Sequence, residues 1–185
     1  LHQLDYRVCV SDPIRQRLID RGFEPNRLFS IYNGLDFSHV VPKTDRAAYF
    51  AQFGYTVHEG DVIAGIAARL DPVKDIPTLI RAVALAKKAC PQLRLAIAGE
   101  GMERKKLEAL AAELGIADSV FFLGWVNDLD SFYGALDINT LSSLSEAFPY
   151  ALPEGARAHL ATVASNVGGV PAIIEHGVTG LLIEP

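Results

Sequence analysis

At 185 residues, with 50% hydrophobic and 21% charged residues, the chain is long enough for one ordinary domain plus a remainder, or two small ones, around a real core. A formal net charge of −5 argues against a broad nucleic-acid surface, which needs clustered cations to displace counterions. No apolar run approaches the ~20 residues that cross a bilayer, and no signal peptide is visible. The one methionine is Met102, so Leu1 is not an initiator and a fragment of a longer protein is expected. Cys9 and Cys90 lack metal-like spacing and read as buried free thiols, compatible with a reducing cytoplasm.

Residues 7–10 read as a strand end, and Ser11-Asp12 as the cap of a helix over 13–21 with Pro13 in its first turn. Gly22 stops it. A short strand over 28–31 runs into Tyr32-Asn33-Gly34-Leu35-Asp36, where Asn-Gly predicts a tight turn with positive φ. Residues 37–60 show little periodicity and read as a linker with one helix near 45–53.

From Asp61 a regular alternation begins. Strands are expected at 62–68, 93–98, 119–123, 136–141, 161–165 and 180–183, apolar nearly throughout, as strands covered on both faces should be. Between them lie helical patterns. The one over 76–89 has Asp75 as cap and Leu79, Ile80, Val83, Ala84 and Ala86 as its apolar positions. The next, over 102–114, places Leu107, Leu110, Ala111 and Leu114 at helical spacing. Shorter helices are predicted near 128–135, 149–158 and 171–176. Short alternating strands and helices give right-handed βαβ units, hence an α/β fold: a Rossmann-like three-layer α/β/α sandwich on a parallel sheet. Because the chain stops straight after a strand, a continuation into a covering helix is expected.

Ligands of open α/β sheets bind outside the carboxyl ends of the strands, so the strand exits carry the candidate chemistry. Arg69 and Lys74 follow the first of these strands and precede a helix, a position suited to a diphosphate. The plainer alternative is that they are solvated charges paired with Asp71 and Asp75. Gly99-Glu100-Gly101 invites a dinucleotide reading, but Arg104 stands where the fingerprint needs glycine, which favours a tight turn. Trp125, in Gly124-Trp125-Val126, either stacks on a base or covers the sheet edge. Gly168-Gly169 either lets backbone approach an anion or makes a plain turn. Glu146 and Glu154 flank a strand-loop-helix junction and can accept bonds from sugar hydroxyls. Their eight-residue spacing alone decides nothing, since Glu100 and Glu108 share it. The five histidines, His2, His39, His58, His159 and His176, show neither metal spacing nor a nucleophile partner.

Taken in order, Val10-Ser11, Tyr32 to Asp36, Ala68-Arg69-Leu70 with Lys74, and Ala98 to Gly101 resemble one family. Phe122 to Trp125, Ser145 to Pro149 with Glu154, Gly168 to Pro171 and Thr179 to Leu182 extend the pattern over nearly the whole chain. The family is that of the retaining glycosyltransferases of family 4, with the GT-B fold, and the chain resembles their nucleotide-sugar-binding half. The resemblance implies that Arg69 and Lys74 hold the donor diphosphate and act in catalysis with Glu146, which binds the transferred sugar. Glu154 would bind the ribose, the backbone of Phe148, Pro149, Tyr150, Ala151 and Leu152 would lie against sugar and phosphate, and Gly124, Trp125 and Val126 near the base. It further implies a donor carrying UDP, GDP or ADP, and no required cofactor or metal. The acceptor, a saccharide or lipid, would be bound by an N-terminal domain of which residues 1–42 are the tail, leaving 43–185 as the donor domain. That N-terminal domain and the family's C-terminal helices would be largely absent, and the fragment alone inactive. A cytoplasmic place is expected, with the full-length protein peripheral on the inner face of the membrane. The pattern departs at Asp75, where the family has glycine, at Pro153, at Arg157, His159 and Ala161, where it favours alanine, glycine and proline, and at Ala172 in place of glutamate. Competing readings are a non-catalytic nucleotide-sugar-binding domain and a sugar-nucleotide epimerase; the glycosidase scheme of two carboxylates at one bond is set aside because Glu154 falls on the ribose.

Overall fold

A computed structural model describes residues 5–38 and 40–185. His2 and His39, read above as neither ligands nor catalytic groups, lie outside the described residues. The described residues open with β1 (Arg7–Cys9), α1 (Asp12–Asp20) and β2 (Leu28–Ser30), and the two strands pair in parallel in a small sheet of their own. Cys9 and Leu28 point inward, while Val8 and Phe29, paired in register, stand exposed on the outer face. Two expectations fail here. Neither Asn33 nor Gly34 has positive φ, so residues 31–37 run as irregular chain without a tight turn. Ser11 occupies the N-cap position of α1, but its hydroxyl does not cap; it donates to the carbonyl of Ala147 at 3.0 Å, because the buried chain crossing there offers a carbonyl that would otherwise go unpaired.

The main sheet comprises β3 (Val62–Ala67), β4 (Leu93–Ala98), β5 (Val120–Gly124), β6 (Ile138–Leu141), β7 (Ala161–Ser165) and β8 (Leu181–Ile183). All are parallel, in the order β5-β4-β3-β6-β7-β8. Helices α2 (Arg46–Ala51), α3 (Ile76–Ala86), α4 (Arg104–Glu113), α5 (Leu129–Gly134) and α6 (Ala151–Arg157) lie between and before them. Period-two alternation sorts the side chains onto two faces. Ile66, Leu95, Ile97 and Phe122 join Ile76, Ile80 and Leu107 of α3 and α4. Ile63, Ala96 and Phe121 join Phe50, Phe132 and Leu136 on the opposite face. The result is the expected three-layer sandwich, with helices on both faces of a parallel sheet.

Residues 37–60 are less of a linker than their sequence suggests. Tyr49 and Phe50 of α2 are buried, and Tyr55 stacks on Phe121 with centroids 4.5 Å apart while its hydroxyl accepts the Phe122 N–H at 2.9 Å. The predicted helix at 171–176 is only a single 3-10 turn, Val170–Ala172, started by Pro171. The outermost strand also departs from expectation: Leu181 and Ile183 are about half exposed, so β8 is not covered on both faces. Among the described residues no helix is long and apolar enough to cross a membrane.

Two departures from the family pattern acquire a physical meaning. Arg157 pairs with Asp130 and reaches the carbonyl of Asp36 at 3.4 Å, tying α6 to α5 and to the incoming chain. His159 sits at φ 56, in the left-handed region, directly after α6. Its N–H donates to Ala156 and that of Leu160 to Gly155, the hydrogen-bond pair of a Schellman cap. A side chain in that conformation costs about 1–2 kcal/mol, partly offset because glycine loses about 0.5–1 kcal/mol more on folding. His159→Gly should therefore stabilise the protein by about 0.5–1 kcal/mol, read as a raised urea midpoint at unchanged m-value.

Candidate ligand site at the switch between β3 and β6

The chain runs from β3 outward to β4 and β5, then returns to the other side of β3 for β6, so the crossovers diverge at the carboxyl ends of β3 and β6. Such a switch point opens a crevice in any doubly wound sheet. A cavity of about 300 Å³ lies there. Ala67, Ala68 and Arg69 leave β3 into it, Ala98, Gly99 and Glu100 leave β4, and Trp125 and Val126 leave β5. Lys74, Leu129 and Leu141 complete one side; Pro149, Tyr150, Ala151 and Glu154, at the first turn of α6, form the other. Gly99 (φ 143) makes the crowding possible: a Cβ there would overlap the carbonyl oxygen of Ala68, and its N–H donates to Gly124 at 2.7 Å. Gly99-Glu100-Gly101 is thus a tight strand-to-helix turn.

The polar centre is built from two loops stitched together. Leu144 N–H donates to Val73 (2.8 Å) and the Ser142 hydroxyl to the Lys74 carbonyl (2.7 Å). This holds the Lys74 side chain against the second loop, where Nζ lies 2.6 Å from Glu146 Oε1. The Ser143 hydroxyl donates to the same oxygen, also at 2.6 Å. The side chains of Lys74 and Glu146 are only 18% and 10% exposed, so this is a largely desolvated charge pair. Arg69 behaves differently. Its side chain is 75% exposed and pairs with Asp71 at 3.1 Å, as the solvated-charge alternative expected. Lys74 does not pair with Asp75. Asp75 itself has φ 43, and its side chain does not cap α3, because the left-handed backbone turns it away from the first-turn amides.

Glu154 is held from below. The hydroxyl of Tyr133, a fully buried residue of α5, donates to Glu154 Oε2 at 2.9 Å. Burial, and then the Glu154 carboxylate, push that hydroxyl well above its ordinary pKa, so it remains a donor at physiological pH. Trp125 is 69% exposed, its indole N–H donating to Asn127 Oδ1 at 2.8 Å, so it forms the rim of the cavity and does not cover the sheet edge.

Three residues placed at the site by the resemblance stand outside the cavity wall. Gly124 ends β5 beneath it. Phe148 sits edge-on between Tyr32 and Tyr150, at 6.1 and 6.2 Å. Leu152 is fully buried with Leu141, Ala164 and Val170, since it falls on the sheet-facing side of α6. Gly168 and Gly169 do approach backbone closely, but that of the Glu146 loop: Cβ atoms there would overlap the carbonyl oxygens of Glu146 and Ala147, and Gly169 N–H donates to Glu146. Sequence reasoning missed Ser142, Ser143 and Tyr133. The paired serines after β6 were a usable signal; a tyrosine inside a short apolar helix was not.

Comparison with known proteins bears on the family and the fold. Residues 50–185 match the family described as Glycosyl transferases group 1. A D-inositol 3-phosphate glycosyltransferase of Streptomyces scabiei is 31% identical over an alignment of 172 residues that covers 87% of this chain and 38% of that protein. The chain thus spans well under half of that relative. Among solved structures, Anabaena Alr3699/HepE, in complex with UDP and glucose and in complex with UDP-glucose, superposes with a TM-score of 0.86 at 27% identity. The match covers 98% of this chain and 50% of that one. The C-terminal domain of a glycosyl transferase group 1 family protein (LpcC) from Francisella tularensis gives a TM-score of 0.70 at 26% identity, over 82% of this chain and 80% of that one.

Proposed function

The chain belongs to the glycosyl transferases group 1 family, and from that premise we propose that it is mainly the donor-binding half of a retaining family 4 enzyme. It would move a hexosyl group from a UDP-, GDP- or ADP-linked sugar to a saccharide or lipid acceptor held by an N-terminal domain, of which residues 1–42 are the tail. One observation carries this: the Lys74–Glu146–Ser143 cluster at the switch point, beside a Glu154 held by Tyr133 and a Trp125 rim. The order suits a ligand whose diphosphate lies at Lys74, ribose at Glu154 and base at Trp125 and Val126. The Anabaena neighbour that binds UDP and glucose supports it.

In this reading the departing group is a nucleoside diphosphate whose negative charge grows as the sugar–oxygen bond breaks. Lys74 and Arg69 offset that charge where water is partly excluded. Arg69 would have to leave Asp71, which costs little for so exposed a pair. Glu146 holds hydroxyls of the transferred hexose through its remaining acceptor capacity, while Ser143 keeps the carboxylate in place. The departing phosphate screens the positively charged sugar that forms.

The reading is tested by thermal unfolding against nucleoside diphosphates and their sugars. A ligand at 100 times its dissociation constant adds roughly 2.7 kcal/mol, or about 5–10 °C for a chain of this size. The expected result is a shift with one nucleotide that Glu154→Ala abolishes. Tyr133→Phe should weaken it less, since it frees the carboxylate without removing it. A second reading, a binding domain without turnover, draws on the Asp75 carboxylate beside Lys74. It predicts the same shift but no glycosyl transfer by the whole protein.

A further inference from the structure

Glu154 can serve a ligand only if its carboxylate is held in place, and the helix that carries it is short. Helix α6 spans seven residues, and helices of that length persist through their contacts with the rest of the fold. Its first turn is fixed to the sheet: the Asn139 amide donates to the Ala151 carbonyl at 2.9 Å, and Leu152 is fully buried. Its far end is fixed elsewhere. The Arg157 guanidinium pairs with Asp130 of α5 and reaches the Asp36 carbonyl, while the Arg157 carbonyl accepts the Val41 N–H at 3.3 Å. The arginine side chain is only 13% exposed, so the pair with Asp130 is partly desolvated.

The two helices are thus joined at two points. Tyr133 meets Glu154, and Asp130 meets Arg157. On each helix the two partners are three residues apart, so they share a face about one turn from each other. The order is crossed, which makes the pairing antiparallel. The links differ in kind. Tyr133 is fully buried, so its hydroxyl cannot follow a moving partner, and Glu154 must come to it. A slip of α6 by one residue along its axis moves the carboxylate about 1.5 Å. That is enough to stretch a 2.9 Å contact beyond hydrogen-bond range. Arg157 is placed to prevent the slip. It lies outside the wall of the donor cavity, so any effect it has on a ligand passes through Glu154.

We propose that Arg157, acting through Asp130, is a positioning residue for Glu154. It fixes the register of α6 on α5, and with it the angle at which Glu154 Oε1 faces the vicinal hydroxyls of a ligand while Tyr133 engages Oε2. The inference rests on the donor-site reading above, in which those hydroxyls belong to a ribose, and deepens it. The incoming chain takes part as well. Thr44 N–H donates to the Gly134 carbonyl at the end of α5, as Val41 N–H does to Arg157 at the end of α6. Residues 36–44 therefore lace the ends of both helices together, with Arg157 bonded to them through side chain and backbone alike.

The test is calorimetric titration of the full chain with UDP, GDP and ADP, the 2′,3′-dideoxy form of whichever binds best, and inorganic pyrophosphate. The proteins are the wild type, Arg157→Ala, Asp130→Asn, Tyr133→Phe and the Arg157→Ala/Tyr133→Phe double variant. The wild type should prefer the ribonucleotide over its dideoxy form by about 10-fold or more, the range for hydrogen bonds to a charged group. Arg157→Ala and Asp130→Asn should each cut that preference to about 3-fold or less, with pyrophosphate affinity unchanged. Adding Tyr133→Phe to Arg157→Ala should reduce it little further, because both act on one carboxylate. A ribose preference undiminished in Arg157→Ala and Asp130→Asn would overturn the inference, whatever their melting points, since the pair would then serve stability alone. So would an equal fall for the nucleotide, its dideoxy form and pyrophosphate, as general damage. Should Arg157→Ala not fold, Asp130→Asn decides by itself. A wild type that binds no nucleotide, or binds the dideoxy form equally well, would sink the ribose reading of Glu154 and the inference with it.

Discussion

Lys74→Ala should weaken nucleoside diphosphate binding by about 100-fold or more, the range for removing one member of a desolvated, hydrogen-bonded charge pair. Two losses coincide. The diphosphate loses its most buried cation, and the Glu146 carboxylate, 10% exposed, is left with the Ser143 hydroxyl alone and turns its charge on the ligand. Stability should fall as well, by about 1–3 kcal/mol, because the carboxylate can neither rehydrate fully nor find another cation. Adding Glu146→Gln separates the two effects. The double variant should regain most of the stability, since the orphaned charge is gone, and only the part of the affinity that repulsion removed, since the cation is still missing. Calorimetry and urea unfolding on the wild type and the two variants decide it. A Lys74→Ala protein that binds within twofold of the wild type would mean that the pair is structural and the diphosphate lies elsewhere.

Gly168→Ala should cost about 2–4 kcal/mol of stability and also disable the donor site. At φ 53 a side chain is strained, and its Cβ would overlap the Glu146 carbonyl oxygen. Backbone on both sides leaves no flexible side chain to yield, so the Glu146 loop itself must move. Gly177→Ala is the matched control: φ is 78 there, but nothing lies within 4 Å of the added Cβ. It should show the conformational penalty of about 1 kcal/mol with nucleotide affinity intact. Equal affinities in the two variants would show that Gly168 serves only its own turn.

Much of this architecture could be read from the chain because parallel strands advertise themselves. Val62–Ala67, Leu93–Ala98 and Val120–Gly124 are apolar on both faces, and each was placed within one or two residues. The strand exits then located Arg69, Lys74, Glu146 and Glu154, because position after a strand is a local property. Partnership is not. Lys74 and Glu146 are 72 residues apart, and only the return of the chain to β6 brings them together. Asp75 and Ser11 looked like caps because local rules treat every aspartate or serine before a helix alike. In the fold, backbone conformation removes one from that role and a distant carbonyl claims the other. Leu152 shows the converse limit: the segment lies at the site, but the helix turns that side chain toward the sheet.

The Ser11 hydroxyl has a mechanical consequence. It grips the carbonyl of Ala147, next in the chain to Glu146, while Tyr32 leans on Phe148 from the same segment. Gly169 crowds the same carbonyl, its missing Cβ falling beside the Ser11 hydroxyl, so the peptide has little slack. The piece built from β1, α1 and β2 is therefore coupled to the Glu146 loop. If that piece rotates about the irregular chain after residue 30, the torque reaches Glu146 through one hydroxyl and one aromatic contact.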